Sequence, residues 1–178
     1  MKICVYCSSS SHLDDKYYEA GYEFGRLMAE KDCSLVYGGY CEGIMDQVAR
    51  GVHDNGGDAI AVIPDVFSDD GVDPELVTEI IRVDTMHERK KTMENISDAI
   101  AVLPGGIGTM DEFFEVYVLK SLGMYDRHIA VLNVDGFYDH LFELLGRFRD
   151  EKFLKEIAYD KVGVFDDPKL MVDYLMEV

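Results

Sequence analysis

The chain predicts an α/β fold: a doubly wound, mostly parallel sheet with helices on both faces. Seven short apolar runs recur along the whole sequence, helical patterns lie between most of them, and serine- or glycine-rich segments follow three of them. Strand and helix in alternation imply a parallel sheet with right-handed crossovers. With 178 residues, 48% of them hydrophobic, and no linker or low-complexity segment, residues 1–178 form one domain with chain enough for a two-sided core.

The first strand is Ile3 to Tyr6, so the start of the chain reads as a strand rather than a signal peptide. Leu35 to Tyr37 is the second and runs into Gly38 to Gly43. Ala59 to Ile63 and Ile80 to Val83 follow. Met86 to Ser97 reads as a helix that leads into the fifth strand, Ala99 to Leu103, whose unbroken apolar character suits a sheet covered on both faces. Ile129 to Val134 and Val162 to Phe165 complete the set. Ligands of such sheets sit at the carboxyl ends of strands, where Ser8 to Ser11, Gly38 to Gly43 and Pro104 to Thr109 can converge. Helix residues Phe113, Phe114, Val116, Tyr117 and Leu119 cover more than one helical face, so half of them are expected in the core and the rest on a dimer face.

Pro104 ends the fifth strand, and Gly105, Gly106 and Gly108 can take positive φ and leave no Cβ in the way of an anion. Thr109 suits an N-cap. A helix behind this turn points the positive end of its dipole at the same place, which builds a phosphate site. Glu112, taken alone, reads as the partner of Thr109 in a capping box. Set beside a phosphate, however, Asp111 and Glu112 are repelled, an odd choice for a site that only holds phosphate. A carboxylate one helical turn away, roughly 5 Å, lies near the anomeric carbon of a ribose 5-phosphate and suits chemistry at the sugar.

Upstream stands Met86-His87-Glu88-Arg89-Lys90-Lys91. Such runs are commonly solvated faces. In a chain with 17 Lys+Arg against 35 Asp+Glu and a net charge of -18, three cations in one turn next to the glycine loop point to a site. Arg89 is the residue of choice, because a guanidinium grips phosphate or carboxylate with two bonds and stays charged when partly buried. His87 is expected to orient the Arg89 turn. The five histidines show no metal spacing, and Cys4-x-x-Cys7 reads as buried thiols, since Cys4 lies within a strand and no second ligand pair follows.

A pI near 4.4 excludes a nucleic-acid partner, and no run of 18 apolar residues marks a membrane span. A cytoplasmic protein is expected. A dinucleotide-dependent oxidoreductase is disfavoured: the first strand ends in Cys7-Ser8-Ser9-Ser10, and no G-x-G-x-x-G opens a helix.

Met86-His87-Glu88-Arg89-Lys90 with Pro104-Gly105-Gly106-x-Gly108-Thr109-x-x-Glu112 resembles the Lonely Guy (LOG) family of phosphoribohydrolases, long mislabelled as lysine decarboxylases. The resemblance extends through Val36-Tyr37-Gly38-Gly39, Gly43-Ile44-Met45 and Val131 to Tyr138. It implies a Rossmann-like fold and hydrolysis of the N-glycosidic bond of a purine nucleoside 5'-monophosphate, a cytokinin riboside monophosphate or AMP, without metal or cofactor. It implies Arg89 and Glu112 as the catalytic pair. Gly105, Gly106, Ile107, Gly108, Thr109, Asp111, Lys90, Gly38 and Gly39 would then bind the substrate and its phosphate. A homodimer with sites near the subunit boundary is also implied. Two departures stand out: Gly38-Gly39-Tyr40 replaces a third glycine, and Val118-Leu119-Lys120-Ser121 replaces Thr-Trp-x-Gln, removing an aromatic platform. The alternative is a non-catalytic nucleotide-binding or cofactor-carrier protein of the same fold.

Overall fold

A computed structural model describes residues 1–67 and 71–177. Seven parallel strands form one sheet in the order β4-β3-β2-β1-β5-β6-β7. They are β1 (Lys2–Tyr6), β2 (Ser34–Tyr37), β3 (Ala59–Pro64), β4 (Glu79–Val83), β5 (Ala99–Val102), β6 (Ile129–Leu132) and β7 (Gly163–Phe165). All seven apolar runs are strands, with ends differing by one or two residues. The helices are α1 (Asp15–Glu30), α2 (Gly43–Asp54), α3 (Met86–Ile96), α4 (Ile107–Ser121), α5 (Asp139–Asp150), the single turn α6 (Glu156–Tyr159) and α7 (Pro168–Leu175). Among the described residues no helix is long and apolar enough to cross a membrane.

Alternation along each strand splits the core in two. Ile3, Val5 and Cys7 face α1, α2 and α7, while Cys4 and Tyr6 face α3, α4 and α5. Cys4 and Cys7 thus point into opposite cores, both buried as free thiols. On the first face the sheet presents Ala59, Ala61, Ala99, Ala101 and Ala130, small side chains that let α1 and α2 settle closely. These two helices touch backbone to backbone: a Cβ on Gly25 would lie 2.2 Å from the Val48 carbonyl oxygen. On the second face Phe113, Val116 and Tyr117 of α4 pack with Met93 and Leu145, so this part of the aromatic series is core.

Chain order runs outward from β1 through β4 on one side and from β5 through β7 on the other. The loops leaving β1 and β5 therefore diverge to opposite faces, opening a crevice at the carboxyl end of the sheet, where such folds hold ligands. Its floor is tied together by backbone: the Ser8 N–H donates to Pro104 O (3.1 Å), and the Met45 N–H donates to Ser8 O (3.1 Å).

Candidate active site

The crevice is a cavity of about 850 Å³. The loops after β1, β2 and β5, the first turns of α3 and α4, and the segment after β3 line it. Gly38, Gly39, Arg89, Lys90, Gly106, Ile107, Gly108, Thr109, Asp111 and Glu112 all reach it; Gly105 does not.

The glycine turn works differently from expectation. Gly105, Gly106 and Gly108 are absent from the positive-φ residues. Helix α4 begins at Ile107 with Gly106 as its N-cap and no side-chain cap, so Thr109 sits in the first turn, buried, rather than at the cap. The Thr109–Glu112 capping box does not form. The reason is steric: a Cβ on Gly105 would stand 2.1 Å from Thr109 Oγ1, so the bare glycine admits the threonine, while Gly106 and Gly108 open onto free space. The first helical bond here runs from the Met110 N–H to Gly106 O (3.0 Å). This leaves the amides of Ile107, Gly108 and Thr109 without partners in the helix. An uncapped helix N-terminus of this kind receives anions through its N–H groups and dipole.

A related double cap exists on α3: Thr85 Oγ1, at the N-cap, accepts from the Glu88 N–H (3.1 Å), and Glu88 Oε2 accepts from the Asp84 N–H (2.9 Å), one residue before the position a capping box uses. Thr85-x-x-Glu88 is the sequence signal for such a start. These caps, rather than the exposed His87, set the turn that carries Arg89 and Lys90.

Arg89 lies across Gly38, where a Cβ would stand 1.8 Å from its Nη2. Its Nη1 is 3.9 Å from Glu112 Oε1, and each side chain is only 12% exposed. The Arg89 Nε–H is buried and unpartnered. Burial pushes the Glu112 carboxyl up to about 7 from an ordinary 4.5, against the opposing pull of Arg89. Lys90 bonds Asp111 Oδ2 at 3.0 Å and pairs with Glu115. Those carboxylates, Glu115 first, raise its pKa. The Lys90 ammonium is thus committed to two carboxylates of the protein.

Behind this pair lies a buried polar layer. Glu94, one turn beyond Lys90, has an unpartnered Oε1 and a pKa pushed up to about 7, chiefly by burial and then by Glu115. The buried Tyr6 hydroxyl is also unpartnered. Across the cavity stand Tyr40, Ile63, Phe67, Gly71 and Val72. Apart from Tyr40 no motif marks this wall in the sequence. Val118 to Ser121 lie outside the cavity lining, with Val118 exposed, so that departure does not touch the cleft within one chain.

A switch-point crevice holding an uncapped helix N-terminus beside a desolvated carboxyl and an arginine defines a class: α/β enzymes acting on small anionic substrates. More particularly, the chain belongs to the LOG family, whose sequence model, described as "Possible lysine decarboxylase", matches residues 45–175. It is 38% identical over 157 residues to cytokinin riboside 5'-monophosphate phosphoribohydrolase LOG2 of Arabidopsis thaliana, spanning 88% of this chain and 74% of that one. It is 40% identical over 157 residues to LOG of Oryza sativa subsp. japonica, which bears the same enzyme name, spanning 88% of this chain and 65% of that one. The molybdenum cofactor binding protein of Rippkaea orientalis shares the fold, with a TM-score of 0.76 over 98% of this chain and 94% of the other. At 19% identity that likeness concerns the fold alone.

Proposed function

We propose that the protein hydrolyses the N-glycosidic bond of a purine nucleoside 5'-monophosphate, a cytokinin riboside monophosphate or AMP, to free base and ribose 5-phosphate. The observation that carries this reading is the Arg89–Glu112 pair, one helical turn from an uncapped α4 N-terminus. The names of the LOG relatives support it.

The amides of Ile107, Gly108 and Thr109 receive the 5'-phosphate, which sets the ribose over Glu112. As the C1'–N bond breaks, its electrons leave on the base, and positive charge spreads over C1' and the ring oxygen. The Glu112 carboxylate faces that charge and takes a proton from water as the water oxygen bonds to C1'. The departing base takes up a proton from solvent, and Glu112 returns the one it took to solvent, so that one water is consumed overall. Arg89 keeps the pKa of Glu112 from rising further and, lining the cavity, presents its guanidinium to the substrate.

A carrier gains nothing from a desolvated acid beside a phosphate site. Lysine decarboxylation calls for a lysine with a depressed pKa to form a Schiff base. Lys90, which lines the cavity, is shifted upward by its carboxylates. The lysine shifted downward, by burial and then by Lys161, is Lys120, which lies outside the cavity lining and donates to the Asp126 and Arg127 carbonyls. We further propose that two copies pair through the outer side of α4, where Val118 and Leu122 are exposed. Four unbridged thiols suit a reducing, cytoplasmic setting.

The test is incubation of purified protein with AMP and chromatographic assay for adenine and ribose 5-phosphate. Stoichiometric release of both is expected. Tight AMP binding with no adenine released would return the protein to the carrier reading.

A further inference from the structure

The cavity continues past the Arg89–Glu112 pair to an apolar wall, and Tyr40 stands on it where a third glycine is the family pattern. Gly39, at φ +78° above Ala61 and Ile63, turns the chain so that Tyr40 projects over the cavity. The ring is held from behind. A Cβ on Gly71 would stand 2.6 Å from Tyr40 Cδ2, so ring and glycine backbone are in contact, and the Cys41 N–H donates to Gly71 O at 2.7 Å. Yet Tyr40 remains 46% exposed. A large aromatic ring braced on one side and open to a cavity on the other is a stacking surface.

Its position relative to the rest of the site gives the surface an occupant. The sheet order β3-β2-β1-β5 sets the loop after β2, which carries Gly38 and Tyr40, two strands away from the α4 N-terminus that follows β5, and Arg89, which faces Glu112, lies over Gly38 at the start of that loop. A nucleotide with phosphate at α4 and C1' at Glu112 extends its base toward that ring. Polar side chains of the loops after β1 and β2 are engaged with each other or with backbone: Glu42 Oε2 accepts from Ser11 Oγ at 2.7 Å, and Ser8 Oγ accepts from the Ser10 N–H at 3.0 Å. The wall beside Tyr40, formed by Ile63, Pro64, Phe67, Gly71 and Val72, has no polar side chain, so stacking is the interaction it offers.

We infer that Tyr40 is a specificity-determining residue of this protein: its ring is the platform on which the substrate's base stacks, and it favours purines through their larger π surface. This rests on the reading of the cavity as a nucleotide site.

Equilibrium binding tests it in the Glu112→Gln background, so that ligand is not consumed, with AMP, CMP and ribose 5-phosphate as probes. Adding Tyr40→Ala should weaken AMP about tenfold, the scale of base–aromatic stacking. CMP should weaken less and ribose 5-phosphate, which has no base, not at all. Tyr40→Phe should keep AMP affinity within about threefold, since the stacking face is retained. A ring that only braces Gly71 would, when removed, shift all three ligands alike; that result, or unchanged AMP affinity, overturns the inference. Adenine release by the parent reports separately on the hydrolase reading, so the two fail independently.

Discussion

Replacing Glu112 with glutamine should destroy activity and stabilise the protein, with the gain visible only at high pH. The folded-state pKa of Glu112 is pushed up to about 7 from an ordinary 4.5, first by burial. A carboxyl raised in this way favours folding while protonated, so its contribution is intact below pH 4.5 and is lost as pH rises through 7. Two and a half pH units at 1.36 kcal/mol each amount to about 3 kcal/mol of cost carried by the ionised parent at pH 8. With 12% side-chain exposure, little solvent screening reduces that figure. Glutamine keeps the shape and cannot ionise. For a chain of this size the gain corresponds to a melting temperature higher by about 6 to 12 °C at pH 8, shrinking toward zero near pH 4.5. Glu94, also near 7, is present in both proteins and cancels. At pH 8, where the parent's Glu112 is ionised, kcat/KM should fall about 100-fold or more in the variant, as for loss of a group aimed at developing charge. Thermal melts at pH 4.5, 6 and 8 with parallel adenine-release assays decide it. Equal melting temperatures at pH 8 would refute the desolvated acid, and near-parental turnover would refute its catalytic role.

Three further outcomes follow from the same geometry. In the parent, kcat/KM should drop on the acid side with a midpoint near 7, as the Glu112 carboxylate is protonated; a pH–rate profile flat from 5 to 8 would contradict this. Arg89→Lys keeps the charge but loses the planar fork and should cost at least about tenfold in kcat/KM, and Gly38→Ala, whose Cβ would stand 1.8 Å from Arg89 Nη2, should cost a similar amount with Arg89 still present. Adenosine should be a far poorer substrate than AMP in both kcat and KM, because binding energy at the α4 N-terminus positions the sugar; equal turnover would remove Gly106 to Thr109 from the phosphate site.

The sheet was legible because its inner strands, covered on both faces, read as apolar runs, and the partly exposed edge strands β4 and β7 still carry short apolar stretches. The caps were less so. Thr109 looked like an N-cap from its spacing, but Gly106 takes that place and the helix starts at Ile107, which is 91% exposed and gives no apolar periodicity to read. Glycine also misled at this turn. Gly105 is required for contact with Thr109 rather than for positive φ, and a one-dimensional pattern does not distinguish the two. The opposition of Arg89 to Glu112 across Gly38 joins three separate stretches of chain, so motif resemblance suggested it while only tertiary structure brings it together. The wall formed by Ile63, Phe67, Gly71 and Val72 carried no signal, because lining a cavity asks only for apolar side chains, which core positions share.

The charges around Glu112 explain why its pKa rests near neutrality. Burial alone favours the neutral acid, which accepts no proton from water. A fully paired carboxylate would be ionised at every working pH but too weak a base, since general-base efficiency favours a pKa near the operating pH. Two nearby cations could drive the group that way. Only Arg89 is aimed at Glu112, at 3.9 Å, beyond hydrogen-bond distance. Lys90 is drawn off by Asp111 and Glu115, whose own charges push Glu112 upward. Asp111, an odd choice beside a phosphate on sequence grounds, therefore has a physical role together with Glu115. They occupy the lysine, cancel much of their repulsion toward an anionic ligand, and leave a single loose guanidinium contact to hold the buried acid at the point where it can exchange a proton.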